Sequence, residues 1–169
     1  MTPSPIPADA AVPDVWALLG AVPDPEIPVL SIVDLGIVRH VRRDAAGRLT
    51  VGLTPTYSGC PATEAIRAAA RAALDAHGYG EALLEEVLSP PWTSQWLSAQ
   101  GRAKLRDYGI APPEEPVTSP RQLWRASQVT CPRCGSRDSE RLSEFGSTPC
   151  KAHYRCGSCR EPFDYFKCI

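Results

Sequence analysis

Long apolar runs are missing from this chain, and so is any surplus of charge. No stretch is long enough to span a bilayer as a helix. Lys and Arg number 18 against 19 Asp and Glu, for a net charge of −1, so the overall balance gives no attraction to a polyanion such as nucleic acid. Residues Met1 to Ala11 carry no Lys or Arg and do not build the charged-then-apolar pattern of a secretory signal. The expectation is a cytoplasmic protein with reduced thiols and no membrane partner. Only three histidines are present, which limits the general bases available to a thiol nucleophile.

Cysteine and proline are plentiful instead, at 7 and 18 of 169 residues. Four of the cysteines form two CxxC pairs, Cys131-Pro-Arg-Cys134 and Cys156-Gly-Ser-Cys159. Each pair can turn two thiolates towards one ion, and two pairs complete a tetrahedral site. The gap between the pairs is slightly longer than the common zinc pattern. Gly135 and Gly157 are expected to supply the backbone freedom of the knuckles. Two disulfides or a redox CxxC are the alternatives, but no βαβ pattern surrounds either pair. A segment this small cannot build a sufficient core alone, so zinc held by Cys131, Cys134, Cys156 and Cys159 would be part of its fold. A four-thiolate site can also take iron.

The pattern predicts an α+β fold: a small α/β sandwich-like domain with a mixed three-stranded sheet and helices, followed by a C-terminal zinc ribbon. Residues 1–13, with four prolines, read as a disordered tail. Residues 14–110 read as the first domain. It should hold a short helix from Val15 to Leu19 capped by Asp14 and ended by Gly20, then a hairpin of Ile37–Arg43 and Leu49–Thr54 about the Asp44–Gly47 turn. Pro61 suits a first helical position, which makes Cys60 the expected N-cap of a helix carrying Ile66, Ala70 and Leu74 on one face. Ala82–Leu88 reads as a third strand, and Ser94 or Ser98 as the cap of a helix through Tyr108. Residues 111–126 are a Pro-rich linker, and the metal module occupies 127–169.

Three further groups could carry chemistry. Cys60, at a helix N-terminus, sits where the macrodipole favours thiolate, and its bland alternative is a space-filling cysteine. Asp24, Glu26 and Asp34 could be metal ligands or a base, although Asp beside Pro and Gly more commonly caps a turn. Cys150 and Cys168 are not needed by a four-cysteine site. They could hold a labile metal or cluster, or remain unliganded thiols. His40 and His77 read as surface or packing residues, and His153 as a spare ligand for an already closed site. Phe145, Tyr154, Phe163, Tyr165 and Phe166 read as ribbon packing. They could be stacking platforms in a nucleic-acid reader, but seven basic against five acidic residues over 131–169 is a weak charge for that role.

Three separated motifs carry a family likeness. They are Asp24-Pro-Glu-Ile-Pro-Val-Leu-Ser-Ile-Val-Asp-Leu-Gly36, Leu53-Thr-Pro-Thr-Tyr-Ser-Gly-Cys60-Pro-Ala, and Pro90-Pro-Trp-Thr93. In order and spacing they resemble the small-domain iron–sulfur cluster assembly accessory proteins that include the bacterial SufT-type factors. The segments Glu144–Ala152 and Arg160–Cys168 resemble one subgroup, the accessory proteins encoded with phenylacetyl-CoA epoxidase in aerobic phenylacetate degradation. The resemblance implies an accessory role rather than an enzyme. It implies a working cysteine at Cys60 and a working acidic loop at Asp24 and Glu26, and it raises the weight of Cys150 and Cys168 as ligands of a transient iron or iron–sulfur cluster. The implied protein partners are the reductase component, with its iron–sulfur centre, or the diiron oxygenase component. A homodimer is left open. A non-catalytic structural subunit of the oxygenase complex, a nucleic-acid-associated zinc ribbon and a thiol enzyme using Cys60 are the competing readings.

Overall fold

A computed structural model describes residues 12–57, 59–114 and 129–167. The chain divides into two compact units between Gly101 and Arg102. In order, the first holds α1 (Pro13–Leu19), β1 (Val38–Arg43), β2 (Leu49–Leu53), α2 (Ala62–Ala76) and β3 (Leu83–Glu86), then a 3-10 turn (Ser94–Trp96). The helix α3 (Ala99–Tyr108) runs through the division. The second unit holds β4 (Ile110–Ala111), β5 (Ser139–Ser143), β6 (Lys151–Cys156) and β7 (Pro162–Phe166).

The first sheet has the order β1-β2-β3. The β1–β2 hairpin is antiparallel, whereas β2 and β3 pair in parallel. A parallel pair needs a crossover, and α2 supplies it. Ala62, Ile66, Ala70 and Leu74 recur every four residues and form the buried stripe of α2. From the same helix, Arg67 and Arg71 donate to the carbonyls of Leu84, Gly80 and Ala82, satisfying acceptors along and beside the β3 edge. The helix ends as a Schellman turn: Gly78 has φ +82°, Tyr79 N–H donates to Leu74 O at 2.9 Å and Gly78 N–H to Asp75 O at 3.2 Å. His40, Gly52 and Glu85 stand in one row across the sheet. A Cβ at residue 52 would lie 2.3 Å from the His40 ring, so glycine lets that ring lie across β2 with Nε2 2.7 Å from Glu85 Oε1.

The acidic loop is wired to the loop after β3. Asp24 Oδ1 accepts the amides of Glu26 (2.9 Å) and Ile27 (2.8 Å). Asp34 and Ser31 bond reciprocally, with Ser31 N–H and Oγ donating to Asp34 Oδ2 at 3.0 and 2.9 Å and Asp34 N–H donating to Ser31 Oγ at 3.0 Å. Ser98 Oγ donates to Asp34 Oδ1 at 3.1 Å and accepts Gly101 N–H at 2.8 Å, so Ser98 caps α3, in agreement with the sequence pattern. Trp92 Nε1 donates to Leu35 O at 2.8 Å. A bulge in β1 falls between Val38 and His40, and the intervening Arg39 places its guanidinium 3.4 Å over the Trp96 ring.

Several local expectations need correction. Asp14 lies inside the first turn of α1: the N-cap is Val12, without a side-chain bond, and Pro13 takes the early position whose missing N–H costs nothing. Pro61, not Cys60, is the N-cap of α2. Gly20 ends α1 with right-handed φ −65° rather than in the left-handed region. Ile110 and Ala111, expected to end the first domain and open the linker, pair with Asp164 and Tyr165 of β7 as a strand. Proline density marks where helices stop, but it does not forbid a two-residue bridge whose side chains are buried. Of the expected tail, residues 1–11 lie outside the described residues, as do residues 115–126 of the expected linker.

Gly36 should be the least replaceable residue of the first unit. Its φ is +68°, and a Cβ there would stand 2.8 Å from both Trp96 Cβ and Trp96 O. Gly36→Ala combines left-handed strain with a backbone clash and should cost about 2 kcal/mol or more. Urea unfolding of the two proteins measures the difference.

Candidate metal centre

In the second unit the sheet order is β4-β7-β6-β5. The core behind it gathers Ala111, Val129, Cys131, Ala152, Tyr154, Cys156 and Phe163. Tyr154 stacks on Phe163 with centroids 5.8 Å apart and meets Tyr165 edge-on at 5.7 Å. Phe145 departs from the expected packing: it is 62% exposed, with Lys167 Nζ 4.4 Å over its ring.

The two CxxC segments form matching turns. In the first, Gly135 N–H donates to Cys131 O at 3.0 Å and Cys131 N–H to Ser136 O at 2.9 Å. In the second, Arg160 N–H donates to Cys156 O and Cys156 N–H to Glu161 O, both at 3.0 Å. The left-handed residue follows the second cysteine each time: Gly135 at φ +75° and Arg160 at φ +67°. Gly157 therefore does not fill the role expected of it. Its constraint is space, because a Cβ there would sit 2.2 Å from Asp138 Oδ2. Its N–H also donates to Asp138 O at 2.7 Å. Spacing along the chain does not single out Asp138 or Arg160, since one acts through space and the other through φ.

The turns bring all four Sγ atoms within 4.8 Å of one another. Cys134 Sγ lies 3.5 Å from Cys156 Sγ, and Cys131 Sγ lies 3.8 Å from Cys159 Sγ. A disulfide needs about 2.05 Å. Four sulfurs about 2.3 Å from one tetrahedral ion stand roughly 3.8 Å apart, and the Cys134–Cys156 and Cys131–Cys159 pairs, at 3.5 and 3.8 Å, lie close to that separation. The donor set and its spacing thus fit a single thiophilic ion. Cys131 and Cys156 are buried, Cys159 is half-buried and Cys134 is exposed. The Cys159 amide, donating to Cys156 Sγ at 3.5 Å, leads the effects that bring the Cys156 thiol down to about 7. For Cys159 the Glu161 amide pulls downward, but burial and the neighbouring thiols outweigh it and push the group up to about 12.

The remaining candidates are placed as follows. Cys60 is half-buried; its N–H donates to Tyr57 O and its carbonyl accepts Thr63 N–H, both at 3.2 Å. Asp24 is buried and Glu26 half-buried. Among the described residues no second group of three His, Cys, Asp or Glu side chains gathers its ligand atoms within 4.8 Å, so Asp24, Glu26 and Cys60 do not form a preassembled cluster. Cys150 is buried with its Sγ 3.1 Å from Thr148 Oγ1, and Cys168 lies outside the described residues. His153 is bound to Asp164 Oδ1 at 3.0 Å rather than to the thiols. His77 Nδ1 lies 2.8 Å from Ala73 O at the end of α2.

This combination of a helix-crossed mixed sheet and a four-thiol β-ribbon defines a two-module protein. Residues 13–81 match the model of the iron–sulfur cluster assembly protein family, and residues 115–167 match the PaaD zinc beta ribbon domain. The chain is 50% identical over 162 residues, 96% of either length, to a putative 1,2-phenylacetyl-CoA epoxidase subunit of Escherichia coli K12, and it belongs to the PaaD family. It is also 31% identical over 93 residues, 54% of this chain and 88% of the relative, to an Fe-S protein maturation auxiliary factor of Porphyromonas gingivalis. The crystal structure of a domain of unknown function, DUF59, from Bacillus anthracis is similar, with TM-score 0.52 and 30% identity over 57% of this chain and 92% of that one.

Thiols must lose their protons to bind a metal, so affinity should fall as pH falls. With the Cys156 thiol brought down only to about 7 and the Cys159 thiol pushed up, binding must displace protons from thiols of the site. Zinc affinity, measured by competition with a chelator of known strength, should weaken at least about tenfold per pH unit from 7.5 to 6.

Proposed function

We propose that this protein is an accessory maturation factor for the iron–sulfur, or other metal, centre of a phenylacetyl-CoA epoxidase complex, and not an enzyme. The observation that carries the reading is the end-to-end likeness to an epoxidase component, combined with a first module of the iron–sulfur cluster assembly family. In this reading Cys131, Cys134, Cys156 and Cys159 hold a structural zinc ion, which supplies the cross-link that the ribbon core lacks. The cargo, iron or an iron–sulfur cluster, is met by other groups. Cys60 is the transient ligand, and Asp24 and Glu26 belong to the acidic loop that assists it. Cys150 and Cys168 are further candidates for the same traffic. A half-buried thiol outside any assembled cluster suits temporary binding, because a complete four-ligand shell would hold its metal too firmly. The reductase or the diiron oxygenase component is the client, and no nucleic acid or membrane is involved.

The E. coli relative, named as part of the epoxidase, supports a second reading: a stoichiometric structural component without metal traffic. Co-expression of the epoxidase components with wild-type or Cys60→Ser protein separates the two. Serine is similar in size, and Cys60 is held by backbone hydrogen bonds that serine keeps, so fold and zinc content should be unchanged. Cluster content and electron transfer of the client should fall severalfold, since a hydroxyl stays protonated and binds iron poorly. Full client occupancy with the mutant defeats the transient-ligand role. Loss of complex assembly without loss of clusters, on deleting the protein, favours the structural reading.

A further inference from the structure

The segment Ile110–Glu114 precedes residues 115–167 covered by the ribbon family model, yet it is built into the ribbon. Ile110 and Ala111 pair with Asp164 and Tyr165 of β7. Ala111, 1% exposed, shares its core with Cys131 and Cys156, two of the four thiols. Glu114 then grips both sides of the first knuckle. Its Oε1 accepts Thr130 N–H at 3.2 Å and Thr130 Oγ–H at 3.1 Å, and its Oε2 accepts Arg137 Nη2 at 2.9 Å. Thr130 immediately precedes Cys131, and Arg137 immediately follows Ser136, whose carbonyl binds the Cys131 amide. Behind the segment, Arg102 of α3 donates to Pro113 O at 2.5 Å.

We infer that residues 110–114 form a metal-dependent strap, docked on β7 when the four-thiol centre is loaded and released when it is empty. A two-residue strand has too few bonds to stay docked by itself. Its anchors are a core made partly of the thiol ligands and a carboxylate bound to the two shoulders of their turn. Metal fixes that turn, because a ribbon of this size draws its folding energy from the ion. Release breaks the pairing with Asp164 and Tyr165 of β7 and frees the Arg102 anchor on α3. The inference rests on reading the four thiols as a metal centre.

Hydrogen exchange of the full chain tests it, comparing zinc-loaded with chelator-stripped protein. The amides of Ile110, Ala111 and Glu114, the strap residues that carry an N–H beside Pro112 and Pro113, should exchange at least about tenfold faster after stripping. In zinc-loaded protein, Glu114→Ala should reproduce that acceleration at the strap while zinc stoichiometry and the exchange of β5 and β6 stay as in wild type. Glu114→Gln, which keeps an acceptor for Thr130 but loses the charge on Arg137, should fall between. A strap equally protected with and without zinc overturns the inference, as does Glu114→Ala at the wild-type rate or with its zinc lost. A wild-type chain that takes up no zinc defeats the metal-centre reading instead, and a direct zinc assay tells that failure apart.

Discussion

Everything in the second unit depends on holding four sulfurs at the separation of one tetrahedral ion. Thiolates at that distance repel one another, and their neutral forms gain little from contact, so the apolar core that takes in Cys131 and Cys156 does not by itself aim four sulfurs at one point. Backbone turns do. Each CxxC segment folds over on itself through a left-handed residue, Gly135 or Arg160. That carbonyl and amide pairing aims two sulfurs at the same point, and the pairing of β5 with β6, which sets Ser139 opposite Cys156, brings the two points together. An ion then converts repulsion into coordination worth about 10 kcal/mol or more, against a core of only a few buried side chains.

The first unit is built the opposite way. Its core is ordinary, with Val15, Leu19, Ile32, Val41, Val51 and Leu74 fully buried, and needs no ion. What is unusual is how much of its polar chemistry is already occupied. Asp24 and Asp34 are buried carboxylates that accept backbone amides and serine hydroxyls, holding the loop they belong to. A carboxylate committed to loop geometry is a rigid support, which is a different contribution from that of a free ligand. Cys60 is the contrasting case, half-buried and outside any cluster of ligand atoms among the described residues. Among the described residues Cys60 is thus a single thiol on a fixed scaffold, whereas the ribbon gathers four thiols around one point. One arrangement suits exchange and the other retention.

The motifs that stand out in the sequence meet in space for packing reasons. Leu35 offers its carbonyl to Trp92, Gly36 leaves room for Trp96, and Asp34 takes the hydroxyl of Ser98. The Asp24–Gly36 segment and the Pro90–Ser98 segment are therefore two halves of one clamp. Their spacing along the chain is plain to read, but the reason for it is not. Neither segment shows a helical or strand period, so nothing local announces that a glycine in one exists for a tryptophan in the other.

By itself the sequence determined the elements with strong local signals. The hairpin, the amphipathic α2 and the two CxxC pairs each follow from neighbours within a few residues, where periodicity and turn chemistry act, while the same signals narrow the cap of α3 only to Ser94 or Ser98. Tertiary structure decided the rest. Gly157 is small because of Asp138, and Gly52 because of His40. Ala111 is a strand residue because β7 has an edge to offer, although the prolines after it read as linker. Glu114 lies far ahead of Cys131 in the chain and still holds the knuckle through Thr130 and Arg137. These residues are set by close approach between distant parts of the chain. Such contacts leave no period in the sequence and become visible only when the backbone has brought the partners together.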